Sequence, residues 1–457
     1  MRLYHYRPIK SALLEIEHGT LHFSSPEELN DPLEGYLQLY WQGDRAAWEG
    51  LLRNYICSLG YGLQQFLLMA DVELLRRYAV LTDVRLLRNA SLIETLSDRF
   101  LSLEACQALV ALYGDGRIAC GAAELHTLLL LVHHAAWSLC LDAHVEHGLL
   151  RRSRADALCP ARMFDDGLNA ILALAAQRES GEFDRRQPLM QTSQDMFEDL
   201  FAVGGICLAL RETDEEEDRR ALLAVSVRFP TLYLDRLREL VYPPGYVVCF
   251  SASGDNSVMW GNYAQNHTGA CLIYDADERG GKLYLPITGT KGEVKPVQYG
   301  GEPQRRNFFE TFGFLSYEQV TAWLTGLDGT VSECLQAFAA RQEEGWRQRY
   351  WAQYDAKFFR KLDAWAYEQE HRVLLCTPNE TDPASRNLPC DPASLRGVIF
   401  GVRASEQDKL ALVRCLLRTR GSLEDFEFYQ AVYDEAALAI RIRKMRMQLF
   451  WQPENPA

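Results

Sequence analysis

The sequence predicts an α+β protein: a mixed or antiparallel β core that carries a large α-helical insertion. Three observations lead there. Strand-like segments lie toward both ends of the 457-residue chain, residues 41–240 carry leucines at three- and four-residue spacing, and Pro243-Pro244-Gly245 marks the return to strands. The expected boundaries follow: residues 1–40 and 241–435 form a discontinuous α/β core domain, 41–240 the helical insertion, and 436–457 a basic C-terminal tail.

Taken in order, residues 3–7 are β-prone, 10–17 are helical with Gly19 as the stop, and 21–24 alternate apolar and polar as a short strand. Asn30-Asp31-Pro32 then turns the chain, because proline excludes the helical region for its predecessor while Asn and Asp bond nearby backbone. Inside the insertion, Gly114-Asp115-Gly116 and Cys159-Pro160 are breaks, and the acidic run 214–218 before Arg219 and Arg220 reads as a solvated helix start. The most apolar run, 125–141, is interrupted by His126, His133, His134 and Trp137, so it reads as a buried helix and not a membrane span. His144 and His147 share a helical face beside Asp142 and Glu146, but core or surface placement is the simpler reading and no metal site is expected. Beyond Gly245, strands are expected at 246–251, 270–274, 282–287, 293–299, 366–376 and 395–400. Helices are expected at 255–266 with Asp255 as N-cap, and at 308–324, 331–349 and 405–420.

Composition narrows the function classes. With 48% hydrophobic and 24% charged residues the chain has the make-up of a folded globular protein. A formal charge of −14 argues against clamping a phosphate backbone as its main business; Arg441, Arg443, Lys444 and Arg446 are a local exception that reads as a solvated face. The 12 cysteines are scattered without a C-x-x-C pair, which argues against a zinc site or a disulfide framework and for a reducing cytoplasm. No signal peptide and no membrane partner are expected.

Four segments combine polar and aromatic residues beyond what a plain core requires. On the first strand, Tyr4 and Tyr6 point one way and His5 and Arg7 the other; arginine either makes a salt bridge there or grips a ligand's carboxylate or phosphate. Ser251 and Ser253 end an apolar strand just before a helix, leaving room for a planar ring or a pyrophosphate, or serving as a cap. Trp260, Tyr263 and His267 at i, i+3, i+7 form one helical stripe, either a packing face or a cofactor contact. On an extended strand Glu368, Glu370 and Arg372 would share a face, and two close carboxylates repel unless a positive group or a polyhydroxyl ligand lies between them.

These segments, with residues 19–26 and 29–35, resemble the bacterial family catalogued as a domain of unknown function, number 2971. A second resemblance supplies an activity. The first strand, the following Gly19-Thr20-Leu21 strand, the serine-bearing strand and the Glu368-x-Glu370 motif are similar in order to ADP-ribosyltransferase-like folds, which implies a split β core. It implies NAD as substrate, Glu370 and Glu368 as catalytic carboxylates, and His5 or Arg7, Ser251, Ser253, Trp260, Tyr263 and His267 as cofactor-binding residues. Breaking the nicotinamide–ribose bond builds positive charge on the sugar, which an ionised Glu370 would stabilise, while Glu368 orients or deprotonates the acceptor. That acceptor is water, a protein or a nucleic acid. A regulatory partner is expected on the helical insertion, and a bacterial stress or phage-defence effector is the role compatible with the resemblance. Two rivals stand beside it: a non-catalytic binding protein in which the carboxylates merely pair, and a metal-dependent hydrolase or nuclease using Asp31, Glu34, Glu368 and Glu370.

Overall fold

The computed structural model describes all residues except 32–33, 36, 70–78, 83–88, 159–166, 180–227, 302–303, 313–314, 340–343 and 447–457. The chain falls into two compact units, one of Met1–Tyr36, Pro243–Glu302 and Trp351–Ala457, the other of Leu37–Tyr242 and Pro303–Tyr350. The Cys159-Pro160 break and the charge run 214–220 lie outside the described residues.

The first unit is built on a ten-stranded mixed sheet, in the order Ala439–Met445, Glu427–Asp434, Leu395–Phe400, Ala270–Asp275, Arg2–Arg7, Gly245–Ser251, Glu370–Cys376, Glu293–Pro296, Lys282–Tyr284, Asp277–Arg279. Within this sheet, Leu395–Phe400 and Glu427–Asp434 pair in parallel and the other neighbours antiparallel. Alternation along each strand sends one set of side chains to each face. Leu3, Val248, Phe250, Leu272, Val373 and Val398 join one core, which Ile9–His18 and Glu406–Arg420 cover. Tyr6, Cys271, Ile273 and Ile399 join another, against Met259 and Trp260 of the helix Ser257–Asn262. Helix Ile9–His18 ends at Gly19, whose φ of 60° is the left-handed conformation that glycine enters without steric cost.

One junction in this sheet is unlike the rest. Arg2–Arg7 pairs with Ala270–Asp275 along its whole length, from Arg2↔Asp275 to Arg7↔Ala270, but meets Gly245–Ser251 at the single register Tyr4↔Ser251. Beyond that point the strands part, and Val247 instead bridges Ser24. The sheet is therefore split between these two strands.

The second unit is helical, with Arg45–Met69, Ala90–Leu101, Glu104–Tyr113 and Ala122–Glu146 among its elements. Ala122–Glu146 is long and apolar enough to cross a membrane, yet Leu125, Leu128, Leu129, Val132, Ala136 and Trp137 are all buried within the unit, as a core helix requires. His144 is buried there with Nδ1 2.6 Å from the Cys140 carbonyl, and His147 caps the helix beside Thr95. No group of His, Cys, Asp and Glu fit to hold a metal occurs among the described residues.

The structure departs from expectation at several boundaries. Residues 303–350 sit in the helical unit because Arg305–Asn307 pairs in parallel with Gln38–Trp41, and Phe308 and Phe309 pack on Trp41 and Trp48. The 436–457 tail gives way to the edge strand Ala439–Met445, where Lys444 binds Glu427 at 2.8 Å and Arg441 lies 3.7 Å from Asp434. Asn256, not Asp255, caps the helix after the serine strand, accepting from the backbone N–H groups of Val258 and Met259. That helix stops at Asn262, and Gln265, Asn266 and His267 all take positive φ, so the stripe Trp260, Tyr263, His267 does not form.

Candidate functional site

The split in the sheet opens a cleft of about 230 Å³ within the first unit. His5, Arg7, Ser251, Tyr263, Glu368 and Glu370 line it; Ser253, Trp260 and His267 do not. Trp260 is a core residue, fully buried, with its indole N–H donating to the Gly254 carbonyl at 2.9 Å and its ring edge-on to Tyr6. Ser253 bonds exposed Asp255, and the His267 backbone bonds Trp260 and Arg403. A larger depression of about 520 Å³, lined in part by Arg279, Thr288, Lys291 and Asp391, contains no buried polar side-chain atom left without a partner.

Register explains how three of the lining residues meet. Tyr4 pairs with Ser251, and Ser251 pairs with Glu370, so the strands that carry the first motif, the serine and the glutamate are immediate neighbours. Parity separates the rest: His5 stands on the face of Phe250, whose ring centroid lies 5.0 Å away, opposite to the face of Glu370. The first-strand anchor and the glutamate therefore reach the cleft from opposite faces, which the split permits. His5 and Arg7 are themselves tied to buried Glu15, His5 Nδ1 lying 3.0 Å from Oε1 and Arg7 Nε donating to Oε2 at 3.0 Å. Tyr274 donates to the same carboxylate at 2.7 Å. Burial alone would raise Glu15, but His5, Arg7 and the hydrogen bonds hold it down at about 2. Burial lowers His5 against the pull of Glu15.

Glu368 and Glu370 do not share an extended strand. Glu368 ends the 3₁₀ turn Asp363–Glu368, Gln369 takes a left-handed conformation with φ 45°, and the strand begins at Glu370. That kink delivers two buried carboxylates to one place. Lys361 lies among them, its Nζ 2.7 Å from Glu368, 2.9 Å from Glu34 and 3.5 Å from Glu370. Arg372 grips Glu370 bidentately, Nε to Oε1 and Nη2 to Oε2 at 2.8 Å each, donates from Nη2 to Glu34 Oε1 at 2.5 Å and from Nη1 to the Phe358 carbonyl at 2.6 Å. An ammonium sits where the metal reading would need a divalent ion.

The neighbours complete the cluster. Tyr263 donates to Glu368 Oε1 at 2.5 Å, and Asn30 donates to the Tyr263 hydroxyl. Ser251 donates to the Glu368 carbonyl at 2.7 Å, and the Glu370 N–H donates to the Tyr299 hydroxyl at 2.7 Å. The two carboxyls are pushed apart. Burial, with the nearby Glu370 charge, holds Glu368 above its ordinary range despite Lys361 and Tyr263. Burial also opposes ionisation of Glu370, but Arg372 and then Lys361 outweigh it and hold that carboxyl low. One carboxyl is thus kept charged while its neighbour is poised to carry a proton, a division of labour suited to acid–base work.

Sequence reasoning missed Lys361, Tyr299 and Asn30 here, and considered Glu34 only as a metal ligand. Lys361 belongs to a two-residue strand paired with Gln298–Tyr299, too short to leave a periodic signal.

Residues 259–373 match the model of a family described as protein of unknown function (DUF2971). The match covers about a quarter of the chain and includes Tyr263, Lys361, Glu368, Glu370 and Arg372. No curated protein and no solved structure matches the chain.

Proposed function

From a DUF2971 segment whose carboxylates line a cleft, we propose that the protein binds NAD and cleaves its nicotinamide–ribose bond, passing ADP-ribose to water or to a protein or nucleic-acid acceptor. The observation that carries this reading is the adjacency of the three motif-bearing strands around one cleft, with Tyr4, Ser251 and Glu370 in register. Glu370, kept ionised by Arg372 and Lys361, is placed to stabilise the positive ribose as the bond lengthens. Glu368, with its raised pKa, is the group that takes a proton from the acceptor. Arg7, with its side chain about a quarter exposed, is the lining cation suited to a phosphate. At about 230 Å³ the cleft is smaller than the roughly 300–1,000 Å³ of sites that enclose a drug-sized ligand, so it encloses the nicotinamide-riboside end and leaves the adenosine end outside.

One observation favours a second reading, a ligand-binding protein without chemistry: Glu370 shares its charge with a bidentate arginine. Incubation with NAD, with and without cell lysate as a source of acceptors, separates the two. Nicotinamide release that falls about 10²-fold or more in Glu370→Gln supports cleavage; NAD binding without release supports the binding protein; neither binding nor release removes NAD from the account.

A further inference from the structure

Glu34 differs from the other two carboxylates of the cluster in one respect. Its Oε1 is held by both cations, Lys361 at 2.9 Å and Arg372 at 2.5 Å. Its Oε2 is buried with no hydrogen-bond partner among the described residues, although Glu34 lines the cleft. The side chain is 1% exposed, and the cleft it lines is its route to any outside partner. A buried acceptor left without a donor is costly, and such a group calls for a specific reason.

The local chain is built to put it there. The Glu34 N–H closes a turn onto the Asp31 carbonyl at 3.0 Å. Gly35 follows at φ 70°, where a Cβ would press on Pro26 at 3.2 Å, so the turn requires glycine at that position. Asn30, at the start of the same turn, binds Tyr263, which in turn donates to Glu368. The turn is anchored to the carboxylate cluster at both ends, as a pre-organised binding group should be.

We propose that Glu34 Oε2 accepts a hydrogen bond from a hydroxyl of the ligand's ribose, which makes Glu34 a substrate-binding residue. The inference rests on the NAD reading and deepens it. Glu34 shares Lys361 and Arg372 with Glu370, the carboxylate placed beside the ribose, so the ligand group it meets is the sugar and not the nicotinamide amide. A ribose hydroxyl is a neutral donor, and accepting from it completes Glu34 without disturbing the cations on Oε1.

The test uses a non-hydrolysable carbocyclic NAD, and the same compound lacking both hydroxyls of the nicotinamide-bearing ring, titrated calorimetrically into the full chain. Wild type should bind the hydroxylated compound at least about tenfold more tightly. Glu34→Gln should lose that preference while binding the dideoxy compound as wild type does. Equal weakening toward both compounds would mean that Glu34 only holds the cluster together and would overturn the proposal, as would a wild type indifferent to the hydroxyls. Binding of neither compound by wild type would overturn the NAD reading and this inference together. Should Glu34→Gln fail to fold by thermal melting, Glu34→Asp, which draws the carboxylate back from the cleft, is titrated in its place, and a retained preference for the hydroxylated compound would overturn the proposal.

Discussion

Two buried charge clusters lie on opposite faces of the same sheet, and they are built differently. Around Glu15, both carboxylate oxygens are used: Oε1 by His5 and Tyr274, Oε2 by Arg7. Around Lys361 and Arg372, three carboxylates share two cations, one oxygen of Glu34 is unspent, and the pKa values of Glu368 and Glu370 are driven in opposite directions. The first cluster is closed on its own carboxylate, whereas the second keeps an unspent acceptor and a split pair of carboxyls beside a cleft, features that functional sites concentrate. An arginine or histidine at a strand face is therefore ambiguous in sequence. Arg7 and His5 line the cleft and are at the same time paired with a helix glutamate.

Arg372 is the most sensitive point of the second cluster. Arg372→Met leaves Glu370 and Glu34 short of a buried cation and should cost about 3–5 kcal/mol in urea unfolding. A loss under about 1 kcal/mol would mean that the cluster is not the buried network described. Next is Glu15. Its folded pKa of about 2 lies below the ordinary 4.5, so its contribution is present in full above pH 4.5 and is lost as pH falls from 4.5 toward 2. Glu15→Gln should therefore cost on the order of 3 kcal/mol at pH 7, with the gap to wild type narrowing below about pH 4.5. NAD affinity should change far less than in Glu34→Gln; a comparable loss would erase the distinction between the clusters.

A smaller effect sharpens the contrast within the site. Lys361 lowers both Glu368 and Glu370, so Lys361→Met should raise both and move the acid limb of nicotinamide release to higher pH. An unmoved limb would assign the pH dependence to other groups. The smallest effect belongs to Ser253, which is outside the cleft and bonded to exposed Asp255. Ser253→Ala should stay within about 0.5 kcal/mol of wild type in stability and leave NAD affinity unchanged. A tenfold loss of affinity would place it on the ligand after all.

Much of the sheet could be read from residues alone, for a local reason. Residues 246–251, 270–274 and 395–400 announce strands by runs of apolar and β-branched side chains, and Gly19 announces a helix end, because these signals depend on neighbours within one or two turns of chain. The stripe through Trp260, Tyr263 and His267 misled because a helical period was extended past a run of left-handed residues that no local pattern marks. Residues 303–350 misled because a three-residue strand and a pair of phenylalanines attach them to the helical unit.

The residues alone were enough to read an α+β chain with strands near its ends and helices between them. The tertiary structure brings Glu368 and Glu370 together across a kink at Gln369, sets Lys361 and Arg372 among them, adds Glu34 from over 300 residues earlier, and puts His5 on the opposite face of the sheet. The physical reason is range. Strand and helix propensities are settled by adjacent residues, whereas the protonation and pairing of a buried carboxylate depend on whichever charges the fold brings within a few ångströms, at any separation along the chain.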